Sequence, residues 1–240
     1  MRQPEVSGDL PRIIANEDHL YEGDLIFYFQ VLFFEAANLT NPYHNFRHIS
    51  HVLSLSYDAC RFYRDELSPR QMRSLLIGAI FHDFDHPGHP HAGENDPDRI
   101  NIPIAIAGLR RYIMSEDRDL LPQIEAIIEA THYPYKVARE KLDLLGEIIR
   151  DADLAQALSP VWLQQVVMGL AQEWKVKPLE VLRLQARFLA TLPLNTDWAR
   201  RLFPPELVQA KINEAEKLLR FLETKPTTAP SPYYVPTKPA

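Results

Sequence analysis

The sequence holds a single cysteine, Cys60, in 240 residues. It has no partner for an internal disulfide and no company for a thiolate zinc site, which excludes a disulfide-stapled scaffold and suits a reducing cytoplasm. Cys60 reads as a small core residue. Glycine is sparse, at eight residues, and no stretch sustains the alternation of a half-buried strand. Positive charge is in deficit. The 26 Lys+Arg stand against 32 Asp+Glu, a formal net charge of -6, so the chain offers no basic field to a nucleic-acid polymer or an anionic membrane. Long apolar runs are also missing. The most apolar window, LIFYFQVLFF over Leu25–Phe34, is interrupted by Gln30 and lies between Asp24 and Glu35. A spanning helix needs about 20 residues, so the window reads as a core helix. No secretory signal is expected at the start of the chain.

What is plentiful is helical periodicity and proline. Hydrophobic residues make up 46% of the chain, enough for one domain with a substantial core. Twenty prolines punctuate it, and Ser68-Pro69, Ser159-Pro160, Lys177-Pro178 and Pro204-Pro205 fit helix starts. The pattern predicts helices over 20–38, 46–63, 69–83, 102–115, 121–132, 138–150, 160–174, 178–192 and 205–222. The fold class is all-α, an irregular multi-helix bundle. Residues 1–17 read as an N-terminal extension, 18–222 as the domain, and 223–240 as a Pro- and Thr-rich tail with too few large aliphatics to order itself.

Chemistry concentrates where helices end. The stretch FHDFDHPGHPH, Phe81 to His91, follows the apolar run LLIGAI, so His82 and Asp83 close a buried helix. Asn45 can cap a helix beginning near Phe46, which places His48 and His51 on neighbouring turns, with His44 just before the start. EIIRDADLAQ ends another apolar helix in Asp151 and Asp153. Neutral imidazoles and carboxylates are good ligands for zinc, iron or manganese. A buried carboxylate beside a histidine would be costly without a cation. His51 reads as a helix-surface or core residue, and Arg47, His89 and His91 as solvated.

The words NPYHNFRH (Asn41 to His48), HDFDHPG (His82 to Gly88) and ADL (Ala152 to Leu154) resemble the HD superfamily of metal-dependent phosphohydrolases. Within that superfamily they are similar to the cyclic-nucleotide phosphodiesterase catalytic domains. The resemblance implies two divalent metal ions, drawn from Zn, Mg, Mn and Fe. His48, His82, Asp83 and Asp153 would hold the first, with Asp83 bridging to the second and taking part in catalysis; Asp151 is the rival for the role of Asp153. His44 would be the general acid. Asn45, Asp85 and His86 would surround the bridging water or the phosphate. His132 stands where that class has an aspartate, and reads either as a direct ligand of the second metal or as a helix C-terminal histidine favoured by the dipole. Asn101 and apolar residues stand where a glutamate and a histidine are expected after HPG. Gln185 and Phe188 match the class spacing for a residue bonding the base edge and one packing on its face. Phe188 also falls on an apolar stripe with Val181, Leu184 and Leu192, as a core residue would.

The implied reaction suits these residue types. A phosphodiester repels hydroxide, and paired cations neutralise its oxygens while making bound water more acidic. The departing alkoxide needs a proton, which a histidine titrating near neutrality can give. The expectation is a phosphoester hydrolase acting on a small nucleotide, with a cyclic phosphodiester as leading substrate. The alternatives are an HD nucleotidase or phosphatase, a di-iron oxygenase suggested by His132, and a metal-bound regulatory module without turnover.

Overall fold

The computed structural model describes residues 9–88 and 98–224. Among the described residues the regular structure is helical and no strand occurs. In chain order the helices are α1 (Leu10–Ala15), α2 (Ile26–Glu35), α3 (Phe46–Phe62), α4 (Pro69–Phe81), α5 (Asp98–Tyr112), α6 (Leu121–Ala130), α7 (Leu144–Leu154), α8 (Gly169–Trp174), α9 (Pro178–Thr191), α10 (Asp197–Leu202) and α11 (Pro205–Glu223). A π-helical stretch over Leu163–Met168 runs directly into α8.

α4 is the centre of the molecule. Every residue from Met72 to Phe81 is buried, so it is enclosed on all sides by α2, α3, α5, α6 and α7. Leu76 and Ile80 meet a core to which α3 contributes Leu53, α6 Ile124 and α7 Ile149, each fully buried. Each such side chain stabilises the fold by about 1.5–3 kcal/mol. The start of α4 is fixed by a capping box, in which Ser68 Oγ accepts from the Gln71 amide at 3.2 Å and Gln71 Oε1 accepts from the Ser68 amide at 2.9 Å. Its one buried cation, Arg73, forks onto Asp117 with two 2.7 Å bonds, and the Tyr28 hydroxyl donates to the same carboxylate at 2.7 Å. A helix buried all round delivers its last residues to the interior, and those residues are His82 and Asp83.

Several expected boundaries shift. The helix expected over 138–150 is α7, starting later because Asp143 caps it, its side chain accepting from the Gly146 amide at 2.9 Å. It runs on to Leu154, so Asp151 and Asp153 lie within its last turns. The helix expected over 20–38 is shorter, and its window is only half buried: Tyr28 and Leu32 are in the core, whereas Phe33 and Phe34 are 52% and 79% exposed. The expected extension contains α1, whose Ile13 is buried in the core, so packing begins ahead of residue 18. α10 is a further helix, capped by Thr196 on the Ala199 amide at 3.1 Å. The expected tail overlaps the end of α11, and residues 225–240, like His89 and His91, lie outside the described residues. Cys60 is buried and free. No described helix is long and apolar enough to cross a membrane.

Candidate metal centre

Three helix ends converge. The first turn of α3 supplies His48, the C-terminus of α4 supplies His82 and then Asp83, and the last turn of α7 supplies Asp153. His48 Nε2 lies 3.3 Å from Asp83 Oδ2 and 3.0 Å from Asp153 Oδ1. His82 Nε2 lies 3.3 Å and 3.7 Å from the same two oxygens. Both rings have their other nitrogen engaged by an acceptor: His82 Nδ1 meets the Ala79 carbonyl at 2.9 Å and His48 Nδ1 meets Gln156 Oε1 at 3.1 Å. Those acceptors assign the ring protons to Nδ1. With neutral rings the two Nε2 atoms would then face each other at 3.2 Å lone pair toward lone pair, a repulsion that a proton or a cation relieves.

That arrangement calls for a cation. Asp83 Oδ1 accepts from Asn101 Nδ2 at 3.0 Å, but its buried Oδ2 has no hydrogen-bond partner. Leaving such an oxygen bare costs about 1–3 kcal/mol or more. Burial opposes charge on His48, yet Asp153 and Asp83 outweigh it and push its pKa up to about 10. Burial likewise opposes ionisation of Asp83, but His82, His44 and His48 overcome it and hold the carboxyl well below the usual range. A divalent ion bound by two imidazole nitrogens and two carboxylate oxygens would take the place of those protons, and this donor set suits Zn, Fe or Mn.

Beside the four stands a second group that sequence reading missed in part. His44 Nδ1 meets Glu173 Oε1 at 2.5 Å, and Glu173 Oε2 also accepts from the Tyr43 and His44 amides at 2.9 and 3.1 Å. Burial disfavours the His44 imidazolium, but Asp83 and Glu173 reverse the balance and raise its pKa. The His44 ring stacks on His86 with centroids 3.7 Å apart. His86 is held neutral: burial and the charge on His44 lower its pKa to about 3, and its Nδ1 accepts from the Gly88 amide at 3.0 Å. Glu173 reaches His44 because α8 lies tight against residues 42–43. A Cβ on Gly169 would come within 2.8 Å of the Pro42 carbonyl oxygen. Asn38, also missed, clips the two loops together, donating to the carbonyls of His44 at 2.9 Å and Asp83 at 2.8 Å.

The other expected residues separate by role. Asp151 points away from the centre: it accepts from both amide groups of Asn195 and from the amide and hydroxyl of Thr196, all at 2.8 Å. Two positions along a helix turn a side chain about 200°, so Asp151 and Asp153 serve opposite faces. Asp85 Oδ1 accepts from the Ala37 amide at 2.7 Å, and Asn45 caps α3 through the amides of Arg47 and His48. Neither is among the residues lining the cavity below. The neighbours of His132, Thr131 and Tyr133, line the wall of the cavity. Burial of His51 lowers its pKa to about 4.

A cavity of about 510 Å³ opens from Asp83, Asp153 and His44 toward α9. Gln185 and Phe188 both line it. Of the apolar stripe, Val181, Leu184 and Phe188 therefore form cavity wall, whereas Leu192 packs against the core. Gln185 is buried with its Nε2 unpartnered, and the Phe188 ring meets Tyr133 edge-on at 6.4 Å.

No protein-family model matches this chain, and no curated protein sequence does. Among solved structures, the fold is similar to the crystal structure of the phosphodiesterase domain of Salpingoeca rosetta rhodopsin phosphodiesterase, with a TM-score of 0.67 at 14% sequence identity, covering 92% of this chain and 90% of that one. The fold is phosphodiesterase-like.

Proposed function

We propose that the protein is an HD-type, metal-dependent phosphoester hydrolase whose leading substrate is a cyclic nucleotide phosphodiester. The observation that carries this reading is the convergence of His48, His82, Asp83 and Asp153 around facing Nε2 atoms and an unpartnered carboxylate oxygen. These four would hold the first cation, and Asp83 would be shared with a second. Bound there, divalent ions would neutralise phosphoryl oxygens and lower the pKa of an attacking water.

The chain's own groups supply the rest. His44, whose pKa Asp83 and Glu173 raise, is oriented through Nδ1 and would donate from Nε2 to the departing alkoxide. Neutral His86 packs on its face and fixes the ring plane. Gln185 Nε2 offers an unused donor to a base edge, and Phe188 and Leu184 an apolar surface to its face. The substrate's phosphate would then sit at the Asp83 end and its base against α9.

Elemental analysis paired with a phosphoester panel tests the reading. Asp83→Ala should lose both metal and hydrolysis; full metal content with unchanged turnover would sink the site. His44→Ala should keep its metal and cleave a cyclic diester about 10²–10⁴-fold more slowly. A nitrophenyl ester, whose leaving group needs little protonation, should suffer less.

A further inference from the structure

At the far end of α3 from His48, a second basin of about 550 Å³ opens between α3, α10 and the segment after α1. At about 1.5 Å per residue, Arg61 stands about 20 Å along the helix from His48, and no residue lines both this basin and the metal cavity. Four arginines line it, Arg12, Arg61, Arg64 and Arg201, against Asp18 and Asp58. Both aspartates are already engaged. Arg12 and the Tyr57 hydroxyl donate to Asp18, and Trp198 Nε1 donates to Asp58 at 2.8 Å. Among the described residues no ion pair joins Arg61 or Arg201 to a carboxylate, and Arg64 reaches only its exposed neighbour Asp65, at 3.7 Å.

The helix dipole favours the basic residues in the last turns of α3, Arg61, and α10, Arg200 and Arg201. It does not explain why Arg61 and Arg201 line one basin in a protein of net charge -6. Beneath them the floor is aromatic and apolar. Trp198 is buried, Leu202 is half-buried, and Phe62 is 40% exposed with the Arg201 guanidinium 5.8 Å from its ring centre. Four guanidinium groups against two carboxylates, one of them beside an exposed ring, suit a compact ligand with a phosphate at one end and a flat apolar body at the other. The volume lies within the range of small-molecule sites, about 300–1,000 Å³. We propose that this basin binds an organic phosphate the size of a nucleoside monophosphate.

The proposal is independent of hydrolysis and is tested without it, on the full chain stripped of metal by a chelator. Calorimetric titration with adenosine 5′-monophosphate should show a site that weakens as salt rises. Arg61→Ala combined with Arg201→Ala should weaken it by roughly tenfold or more. Both side chains are exposed, so an unchanged melting temperature should accompany the loss. Phe62→Ala should weaken the nucleotide and leave inorganic phosphate unaffected, and Phe188→Ala, in the metal cavity, should change nothing. Absence of binding by the wild type, unchanged affinity in the double variant, or loss of binding in Phe188→Ala would each overturn the assignment. The double variant should also hydrolyse phosphoesters at the wild-type rate, and a slowed rate would place these arginines in the catalytic machinery instead.

Discussion

Glu173 governs the proton on His44. It sits 2.5 Å from the Nδ1 atom and raises the pKa of a ring that burial alone would depress. On the proposed reading His44 is a donor that works in its protonated form, so turnover should fall as pH rises through that pKa. Replacing Glu173 by Gln removes the negative charge and lowers the pKa, and the alkaline decline of kcat should move to lower pH with KM little changed. A pH–rate profile superimposable on the wild type would detach Glu173 from the chemistry. Gln156 acts on the other histidine. It accepts from His48 Nδ1 and is itself anchored by Gln165 at 2.5 Å, so Gln156→Leu should weaken metal affinity by about 10–100-fold in a chelator competition. The imidazoles and Asp83 were legible because they fall in short words of the sequence. Glu173 and Gln156 were not, since each meets its histidine across 129 and 108 positions and carries no local signal.

At the scale of elements, function depends on where helices stop. α7 carries two aspartates of opposite duty: Asp153 faces His48, while Asp151 holds the residues that begin α10. Because Asp151 is buried and anchors two backbone amides, Asp151→Ala should cost about 3 kcal/mol in denaturant unfolding while the folded protein keeps its metal stoichiometry. Loss of metal with stability intact would reverse the two roles. Periodicity revealed most of the helices because a single buried face repeats every three or four residues. It placed their ends poorly. Asp143, and not the apolar pattern, sets the start of α7, and the π-helical turns over Leu163–Met168 carry the same apolar composition as an ordinary helix.

At the scale of the molecule, the candidate metal centre lies in the same core that stabilises the fold, so metal loading would be linked to stability. On the proposed reading, a free zinc or manganese concentration about 1,000-fold above Kd should stabilise the protein by about 4 kcal/mol. That corresponds to a rise of about 10 °C in Tm, followed by differential scanning fluorimetry. Asp83→Ala should show no rise, and it should melt below chelated wild type, because it also removes the acceptor of Asn101 and the charge partner of His48 and His82. An equal rise in both proteins would place the ion elsewhere.

The sequence by itself determined the helical class, the enclosed α4 and the residue types gathered at helix ends, since periodicity, capping and short motifs act over a few neighbouring residues. Only the tertiary structure decided which aspartate of α7 faces the histidines, that Glu173 supports His44, and that Gln185 and Phe188 line a cavity and are not packed into solid core. Those outcomes depend on the rotation and approach of whole helices, which are fixed by packing among residues far apart in the chain.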